Sequence, residues 1–169
     1  MSIHVYQATN KEYRVIQKIA HETWPVTFGK ILSKEQIDYM LEMMYSIKSL
    51  SEQVEQKGHH FLMARDDQQD VGYASYELYY KGLPKTKIHK IYVTPSAQGK
   101  GVGKVLMTEI MKVARENSNA YLSLNVNRDN TSVEFYKKIG FKKIGEEDID
   151  IGNGFLMEDA IMEKSVPLE

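Results

Sequence analysis

The chain reads Gln98-Gly99-Lys100-Gly101-Val102-Gly103-Lys104 at the point that decides its fold. This stretch follows a short β-rich run at 88–93, and apolar residues after it recur with the spacing of one helix face. The glycines therefore lie where a strand turns into the N-terminus of a helix. Such a place presents unpaired backbone N–H groups and the positive end of the helix dipole. Because glycine also lets the backbone approach a ligand closely, the stretch predicts a bound anion and favours a phosphate.

Two familiar phosphate-binding patterns do not match this loop. The P-loop pattern requires glycine where Gln98 stands and serine or threonine where Val105 stands. The dinucleotide-binding pattern G-x-G-x-x-G fails in both registers, at Lys104 and at Leu106. Taken alone, the loop is also compatible with a glycine-rich turn that binds no ligand. Residues elsewhere in the chain are needed to choose between these two interpretations.

The length and composition are those of one globular domain, which we expect to span 1–169. The 22 basic and 23 acidic residues nearly cancel, which argues against a nucleic-acid-binding surface. The absence of cysteine excludes disulfides, thiolate metal sites and a cysteine acyl relay. The five histidines show no metal-ligand spacing. Because there is neither a signal-peptide pattern nor an apolar run of membrane-spanning length, we expect a cytoplasmic protein without a membrane segment.

The N-terminal third predicts one strand followed by three helices. Residues 3–7 alternate as a strand does, and Asn10 is placed to cap a first helix. That helix is expected to end near His21, because Pro25 disfavours helical backbone at the residue before it. Two short helices are then predicted by the capping-box pairs Ser33/Gln36 and Ser49/Glu52, and Gly58 ends the second.

Beyond Gly58 the pattern changes to alternation. Strands are predicted at 60–65, 71–80, 87–93 and 121–126, and a closing hairpin is predicted from 141–147 and 155–165. A helix is predicted at 102–117. A last helix is opened by Asn130, with the capping pair Thr131/Glu134, and is ended by Gly140. The order β-α-α-α-β-β-β-α-β-α-β-β indicates an α/β (mixed α+β) fold. We expect a central, mostly antiparallel sheet of about seven strands with helices on its faces.

A second motif lies at 125–141, which includes Asn127, Phe135-Tyr136 and Gly140-Phe141. It resembles the N-x-x-A-x-x-F-Y-x-K-x-G-F segment of the GNAT superfamily of N-acetyltransferases, with Val133 where alanine is commoner. The glycine loop resembles that family's Q/R-x-x-G-x-G pyrophosphate loop, and the order of elements matches over nearly the whole chain. A nearer resemblance, to bacterial spermidine/spermine-type N-acetyltransferases, rests on residues 22–28, 91–93, 135–141 and 159–164.

The resemblance implies acetyl-coenzyme A as donor and a primary amine as acceptor, which attacks directly in a ternary complex. The pyrophosphate is expected on the glycine loop, and the pantetheine arm along an edge opened by a splay between strands 87–93 and 121–126. The implied cofactor contacts are Ile91, Tyr92, Val93, Gln98, Gly99, Lys100, Gly101, Val102, Gly103, Lys104 and Asn130. For Asn130, a plain helix cap is the alternative.

Catalytic roles are predicted for Tyr136 and His89. The resemblance places Tyr136 against the thioester sulfur, where a phenol can protonate the leaving thiolate. Phe135 and Ile139, four residues apart, are expected to form the core pair, which leaves Tyr136 pointing elsewhere. Many relatives carry a glutamate base on the strand before the loop, where this chain has Lys87 and His89. Strand alternation puts His89 on the face of Ile91 and Val93, so it is the predicted base, with Glu77 and Glu22 as rivals.

The acceptor site is predicted at Glu22, Trp24, Phe28 and Glu77, although core packing is the stronger interpretation of the two aromatic residues. The acidic group at 146–150 is either a solvated turn or a surface that attracts a cation. A small amine is the expected acceptor, with polyamines favoured. The alternatives are a protein N-terminal or lysine acetyltransferase, and a non-catalytic acyl-CoA-binding module. A homodimer is left open.

Overall fold

The computed structural model describes residues 2–167, so the expected domain limits at 1 and 169 lie outside the described residues. The strands are β1 (His4–Gln7), β2 (His60–Arg65), β3 (Asp70–Glu77), β4 (Lys85–Val93), β5 (Tyr121–Asn127), β6 (Lys142–Gly152) and β7 (Phe155–Ser165). The α-helices are α1 (Tyr13–Phe28), α2 (Lys34–Tyr45), α3 (Ile47–Glu55), α4 (Val102–Glu116) and α5 (Ser132–Lys138).

The strands form one sheet in the order β1-β2-β3-β4-β5-β7-β6. All neighbouring pairs in it are antiparallel except β4 and β5, which run parallel. The predicted mixed, mostly antiparallel sheet of about seven strands is therefore confirmed. One face of the sheet packs against α4 and α5, and the other face packs against α1, α2 and α3, so two apolar layers stabilise the fold.

Helix α1 is longer than the sequence predicted. It continues through Pro25 to Phe28, although proline removes a helical N–H and crowds the preceding turn. Trp24 and Phe28 lie on either side of Pro25, and both are buried in the layer beneath α1 and α2. Burial of two aromatic side chains contributes about 1.5–3 kcal/mol each, which offsets a proline penalty of about 3 kcal/mol. The prediction that the helix ends near His21 is wrong for this reason.

Two of the predicted caps are shifted. The turn before α1 is capped by Thr9 instead of Asn10, because the Glu12 carboxylate accepts a 2.7 Å hydrogen bond from the Thr9 backbone N–H. Helix α3 begins one turn before Ser49, since the Ser46 hydroxyl accepts from the Ser49 N–H at 3.1 Å. The Ser33 cap of α2 is found where it was expected, with the same contact to the Gln36 N–H at 3.1 Å.

The sheet opens between β4 and β5. Their parallel pairing covers only 85–88 against 121–124, whereas β4 continues to Val93 and β5 to Asn127. Beyond Ile88, one edge of β4 therefore has no strand partner. The predicted splay is present, and its free edge carries N–H and C=O groups that an extended ligand can pair with.

A β-bulge interrupts β4 just before this opening. Ser75 pairs with Lys90, but the next residue, Tyr76, pairs with Ile88, so His89 is an extra residue without an opposite partner. Bulges redirect side chains and are frequent beside active sites. Within residues 2–167, no helix is long and apolar enough to cross a membrane.

Candidate active site

A large cleft lies where β4 and β5 separate, with a volume of about 1120 Å³. That volume lies just above the usual small-ligand range of about 300–1,000 Å³, so the cleft has room for a large ligand. The predicted residues that line it are Trp24, Phe28, His89, Ile91, Tyr92, Val93, Gln98, Gly99, Gly101, Val102, Gly103, Lys104, Asn130 and Tyr136. The predicted residues outside it are Glu22, Glu77 and Lys100.

The glycine loop forms one end of the cleft. Gly101 is the N-cap of α4, with φ +84°, and Gly99 has φ +79°, so both adopt the left-handed backbone that glycine favours. A Cβ atom added at either glycine meets no protein atom within 4 Å, which leaves room beside the loop. No side chain caps α4, so its first N–H groups are free to bind an anion. The side chain of Lys104 lines this end, whereas exposed Lys100 does not.

Tyr136 is the buried aromatic residue of α5. It is 8% exposed and packs against Phe141, whereas Phe135 is 46% exposed, so the predicted core position of Phe135 is wrong. The Tyr136 hydroxyl makes no hydrogen bond to any residue in 2–167. Burial raises the pKa of Tyr136 to about 12. The phenol therefore keeps its proton at neutral pH, as a general acid must.

Asn130 acts as a cap for the turn before α5, with its side-chain oxygen accepting from the Ser132 N–H at 2.9 Å. The predicted capping pair of Thr131 and Glu134 is not formed, because the Thr131 side chain makes no capping bond. Asn130 still lines the cleft, so its predicted contact with the cofactor remains a proposal.

His89 does not share a face with Ile91 and Val93, because the bulge breaks the alternation on which that prediction rested. Ile91 and Val93 pack on the α4 layer, whereas the His89 ring stacks on His59 with centroids 3.9 Å apart. His89 Nε2 lies 2.9 Å from Glu77 Oε1. Burial, together with His59 and Lys90, lowers the pKa of His89 to about 2. His89 is therefore not a proton acceptor with a pKa near the reference value of histidine.

His59, Glu77 and His89 offer ligand atoms that lie within 4.8 Å of one another, and among residues 2–167 they are the group of three that approaches a metal-site arrangement. The two rings are nearly parallel, with an interplanar angle of 12°. A metal ion bound about 2 Å from each nitrogen has to lie near both ring planes, which stacked rings do not allow. The cluster is better described as two stacked neutral histidines, of which His89 is hydrogen-bonded to the Glu77 carboxylate.

Lys90 is the second residue that the bulge turns toward the α1–α3 layer. Its Nζ donates a 2.7 Å hydrogen bond to Gln53 Oε1 and lies over the Tyr45 ring, 5.6 Å from the centroid. Burial, reinforced by Lys57, lowers the pKa of Lys90 to about 7. The sequence did not single out Lys90 or His59, because a bulge leaves no pattern in a single sequence.

The opposite wall of the cleft comes from α1, α2 and the hairpin of β6 and β7. Trp24 and Phe28 pack with centroids 4.7 Å apart and also line the cleft, so the structural and the ligand-lining interpretations hold together. Helix α2 binds the hairpin, as Tyr39 donates to the Ile151 carbonyl at 2.6 Å. Exposed Glu22 lies beside a separate, smaller pocket. The prediction that Glu22 binds the acceptor therefore does not fit the structure.

The buried histidines make stability depend on pH. Burial, with Lys90 and Lys57 nearby, lowers the pKa of His59 to about 4 in the folded chain. His59 takes up a proton near pH 6.5 in the unfolded chain, but only near pH 4 in the folded chain. The free energy of unfolding should therefore fall as pH drops from about 6.5 to about 4. We expect His59→Phe to reduce this fall by about 2 kcal/mol, measured by urea denaturation at several pH values.

The matched control for that measurement is His21→Phe, at an exposed position. It should leave the pH dependence of the parent unchanged. Equal pH dependence of the parent and His59→Phe would show that His59 is not buried as a neutral ring.

Taken together, the fold and the cleft combine a glycine loop at a helix N-terminus, a splayed sheet and a buried tyrosine that keeps its proton. The profile of the family described as "Acetyltransferase (GNAT) domain" matches residues 30–158. The chain therefore belongs to the GNAT family and is an N-acetyltransferase.

Similar proteins agree with this assignment. The chain is 28% identical over 163 residues to the spermidine N(1)-acetyltransferase of Thermoplasma acidophilum. This alignment covers 94% of this chain and 97% of that protein. The crystal structure of the Thermoplasma acidophilum PaiA N-acetyltransferase in complex with coenzyme A superposes with a TM-score of 0.81 at 27% identity, covering 98% and 99% of the two chains. A shorter match, 31% over 87 residues, joins 51% of this chain to 54% of the N-alpha-acetyltransferase RimI of Mycobacterium tuberculosis.

Proposed function

We propose that this protein transfers the acetyl group of acetyl-CoA to a primary amine of a small molecule, with a polyamine as the favoured acceptor. The observation that carries the proposal is the cleft itself. The uncapped N-terminus of α4, the free edge of β4 and the Tyr136 side chain all face it. A relative that is a spermidine N(1)-acetyltransferase, similar over 94% of this chain, supports the choice of acceptor.

The residues present fit acetyl-CoA. Its pyrophosphate matches the free N–H groups at 101–104, and open space beside Gly99 and Gly101 admits it. Its pantetheine amides match the unpaired edge of β4 at 91–93. When bound, this cosubstrate supplies an acetyl thioester whose carbonyl accepts the attacking amine.

The chain itself supplies a proton donor and a donor of hydrogen bonds. Tyr136 holds its proton at neutral pH, and in this proposal it protonates the leaving sulfur. A backbone N–H of the free β4 edge, such as that of Val93, stabilises the negative charge that develops on the carbonyl oxygen. The amine must be neutral to attack, so a proton has to leave the acceptor first.

Four lysines and two carboxylates line the cleft, and the two carboxylates are the groups that suit a cationic acceptor. Of the acidic group at 146–150, Glu146 and Asp148 pair with Arg128 on the outside. Glu147 instead lines the cleft together with Asp159 of β7. Methionine and aromatic side chains of α1 and α2 also line the cleft, and such a surface suits the methylene chain of a polyamine.

The test is a screen of acceptors with purified protein and acetyl-CoA, read as thiol release. The panel should contain spermidine, spermine, a monoamine of equal chain length, a peptide with a free N-terminus and a lysine peptide. We expect the highest kcat/KM for a polyamine. A peptide that exceeds the polyamines would favour protein acetylation instead. Binding of acetyl-CoA without turnover of any amine would identify a binding module.

A further inference from the structure

Three polar residues form a network on the floor of the cleft. Glu147 of β6 and Asp159 of β7 lie directly opposite each other in the antiparallel ladder. Asn125 of β5 bridges them, because its Nδ2 donates to Glu147 Oε1 at 2.7 Å and to Asp159 Oδ2 at 3.2 Å. All three line the cleft, and Asn125 is the first residue of β5 after its pairing with β4 ends. The network therefore lies at the point where the sheet opens.

This network is unfavourable unless a cation completes it. Asp159 is only 4% exposed, and a buried carboxylate is costly without a charged partner. Like charges directly opposite in a ladder repel each other. Lys87 donates its hydrogen bond to Asn125 Oδ1 and not to either carboxylate. Arg128 also acts on Asp159, but its guanidinium pairs with Glu146 and Asp148. Lys87 is then left to balance both Glu147 and Asp159, and an ammonium group would neutralise the remaining negative charge.

A second, independent observation points to a ligand at this place. Tyr136, more than nine-tenths buried, lines the same cleft with a hydroxyl that has no hydrogen-bond partner within 2–167. Asp159 lines this cleft as well, so the proton donor and the buried carboxylate border the same space.

We propose that Asp159, positioned by Asn125 and assisted by Glu147, binds the ammonium group of the acceptor and takes one proton from it before attack. This inference rests on the proposed function and assigns the proton acceptor that His89 does not provide. The neutral amine then forms a bond to the acetyl carbon as the bond from that carbon to sulfur breaks.

Each proton has an acceptor in this scheme. Asp159 takes the first proton from the ammonium group and passes it to water. Tyr136 gives its proton to the sulfur, and the second proton lost from nitrogen, as the amide forms, restores the Tyr136 phenol. The products are the acetylated amine, the free thiol and one proton released to solvent.

The pH profile carries a signature of Asp159. Burial and the neighbouring Glu147 raise its pKa above the usual value of an aspartate, against the lowering effect of Asn125, Lys87 and Arg128. Because the carboxylate must be ionised to act, log(kcat/KM) should fall as pH drops through this raised pKa. The inflection belongs to the enzyme, so it stays fixed when amines of different basicity are compared.

The experiment compares Asp159→Asn with Glu158→Gln, an exposed carboxylate beside it on β7. Kinetics with spermidine and a monoamine over pH are combined with calorimetry of acetyl-CoA binding. We expect Asp159→Asn to lower kcat/KM at least 10-fold, to remove the fixed inflection and to keep the affinity for acetyl-CoA. Glu158→Gln should match the parent. A parent-like pH profile in Asp159→Asn, or a fixed inflection that only His89→Ala removes, would overturn the assignment.

Glu147→Gln provides a second test at an exposed position, where the fold is not at risk. Removal of the neighbouring charge should move the fixed inflection to lower pH and raise KM for spermidine several-fold. If Asp159→Asn does not fold, an unmoved inflection in Glu147→Gln is sufficient to overturn the proposal. A parent that acetylates no amine would instead contradict the proposed function itself, so the two failures are distinguishable.

Discussion

Gly101→Asp is expected to weaken the binding of acetyl-CoA by about 100-fold, a change of about 2.7 kcal/mol. Two effects add at this position. Gly101 has φ +84°, where a residue with a Cβ atom is strained by about 1–2 kcal/mol. The new carboxylate also lies at the N-terminus of α4, where it competes with the pyrophosphate for the free N–H groups. A clash with the protein itself does not contribute, because an added Cβ meets no protein atom within 4 Å.

Calorimetry with acetyl-CoA measures this effect, and Gly82→Asp is the matched control. Gly82 also has positive φ, at +73°, and also has open space around it, but it does not line the cleft. The control should carry a similar backbone strain and keep the affinity of the parent. Folded Gly101→Asp protein that binds acetyl-CoA as tightly as Gly82→Asp would remove the glycine loop from the donor site.

Tyr136→Phe is expected to lower kcat between 10-fold and about 100-fold, with the affinity for acetyl-CoA nearly unchanged. The substitution removes one hydroxyl that has no hydrogen-bond partner within 2–167, so the packing against Phe141 is kept. A general acid contributes about 10²–10⁴-fold, and water that enters in place of the hydroxyl reduces the loss. Single-turnover kinetics should be used, because they report the chemical step and not product release.

Tyr121→Phe is the control for this measurement, since Tyr121 is 44% exposed on β5 and does not line the cleft. Its kcat should equal that of the parent. A Tyr136→Phe variant that reacts as fast as Tyr121→Phe, with chemistry shown to be rate-limiting, would exclude Tyr136 as the acid.

Local patterns predicted the backbone of the glycine loop and of several helix ends well. The turn from a strand through the glycines into α4 lies within one short segment, so its backbone chemistry is readable from adjacent residues. The same is true of the Ser33 cap and of Gly140, whose φ of +105° ends the last helix. In each case the decisive interaction joins residues that are a few positions apart in the chain.

Predictions failed where a distant contact outweighed a local preference. Pro25 signals a helix end, yet burial of Trp24 and Phe28 against the sheet carries α1 past it. Strand alternation assigns His89 to the face of Ile91, yet the register of β3 against β4 inserts a bulge there. Both outcomes depend on contacts between residues that lie far apart in the sequence, so local sequence patterns do not reveal them.

The sequence by itself determined the class of fold, the order of its elements and the glycine turn at 98–104 that leads into α4, because periodicity and glycine content act over short distances. Only the tertiary structure decided which side chains meet in the acceptor half of the cleft. Asn125, Glu147 and Asp159 come from three strands and share one face through cross-strand register. Register is set by the packing of the whole sheet, so the proposed proton acceptor could not be identified before the strands were paired.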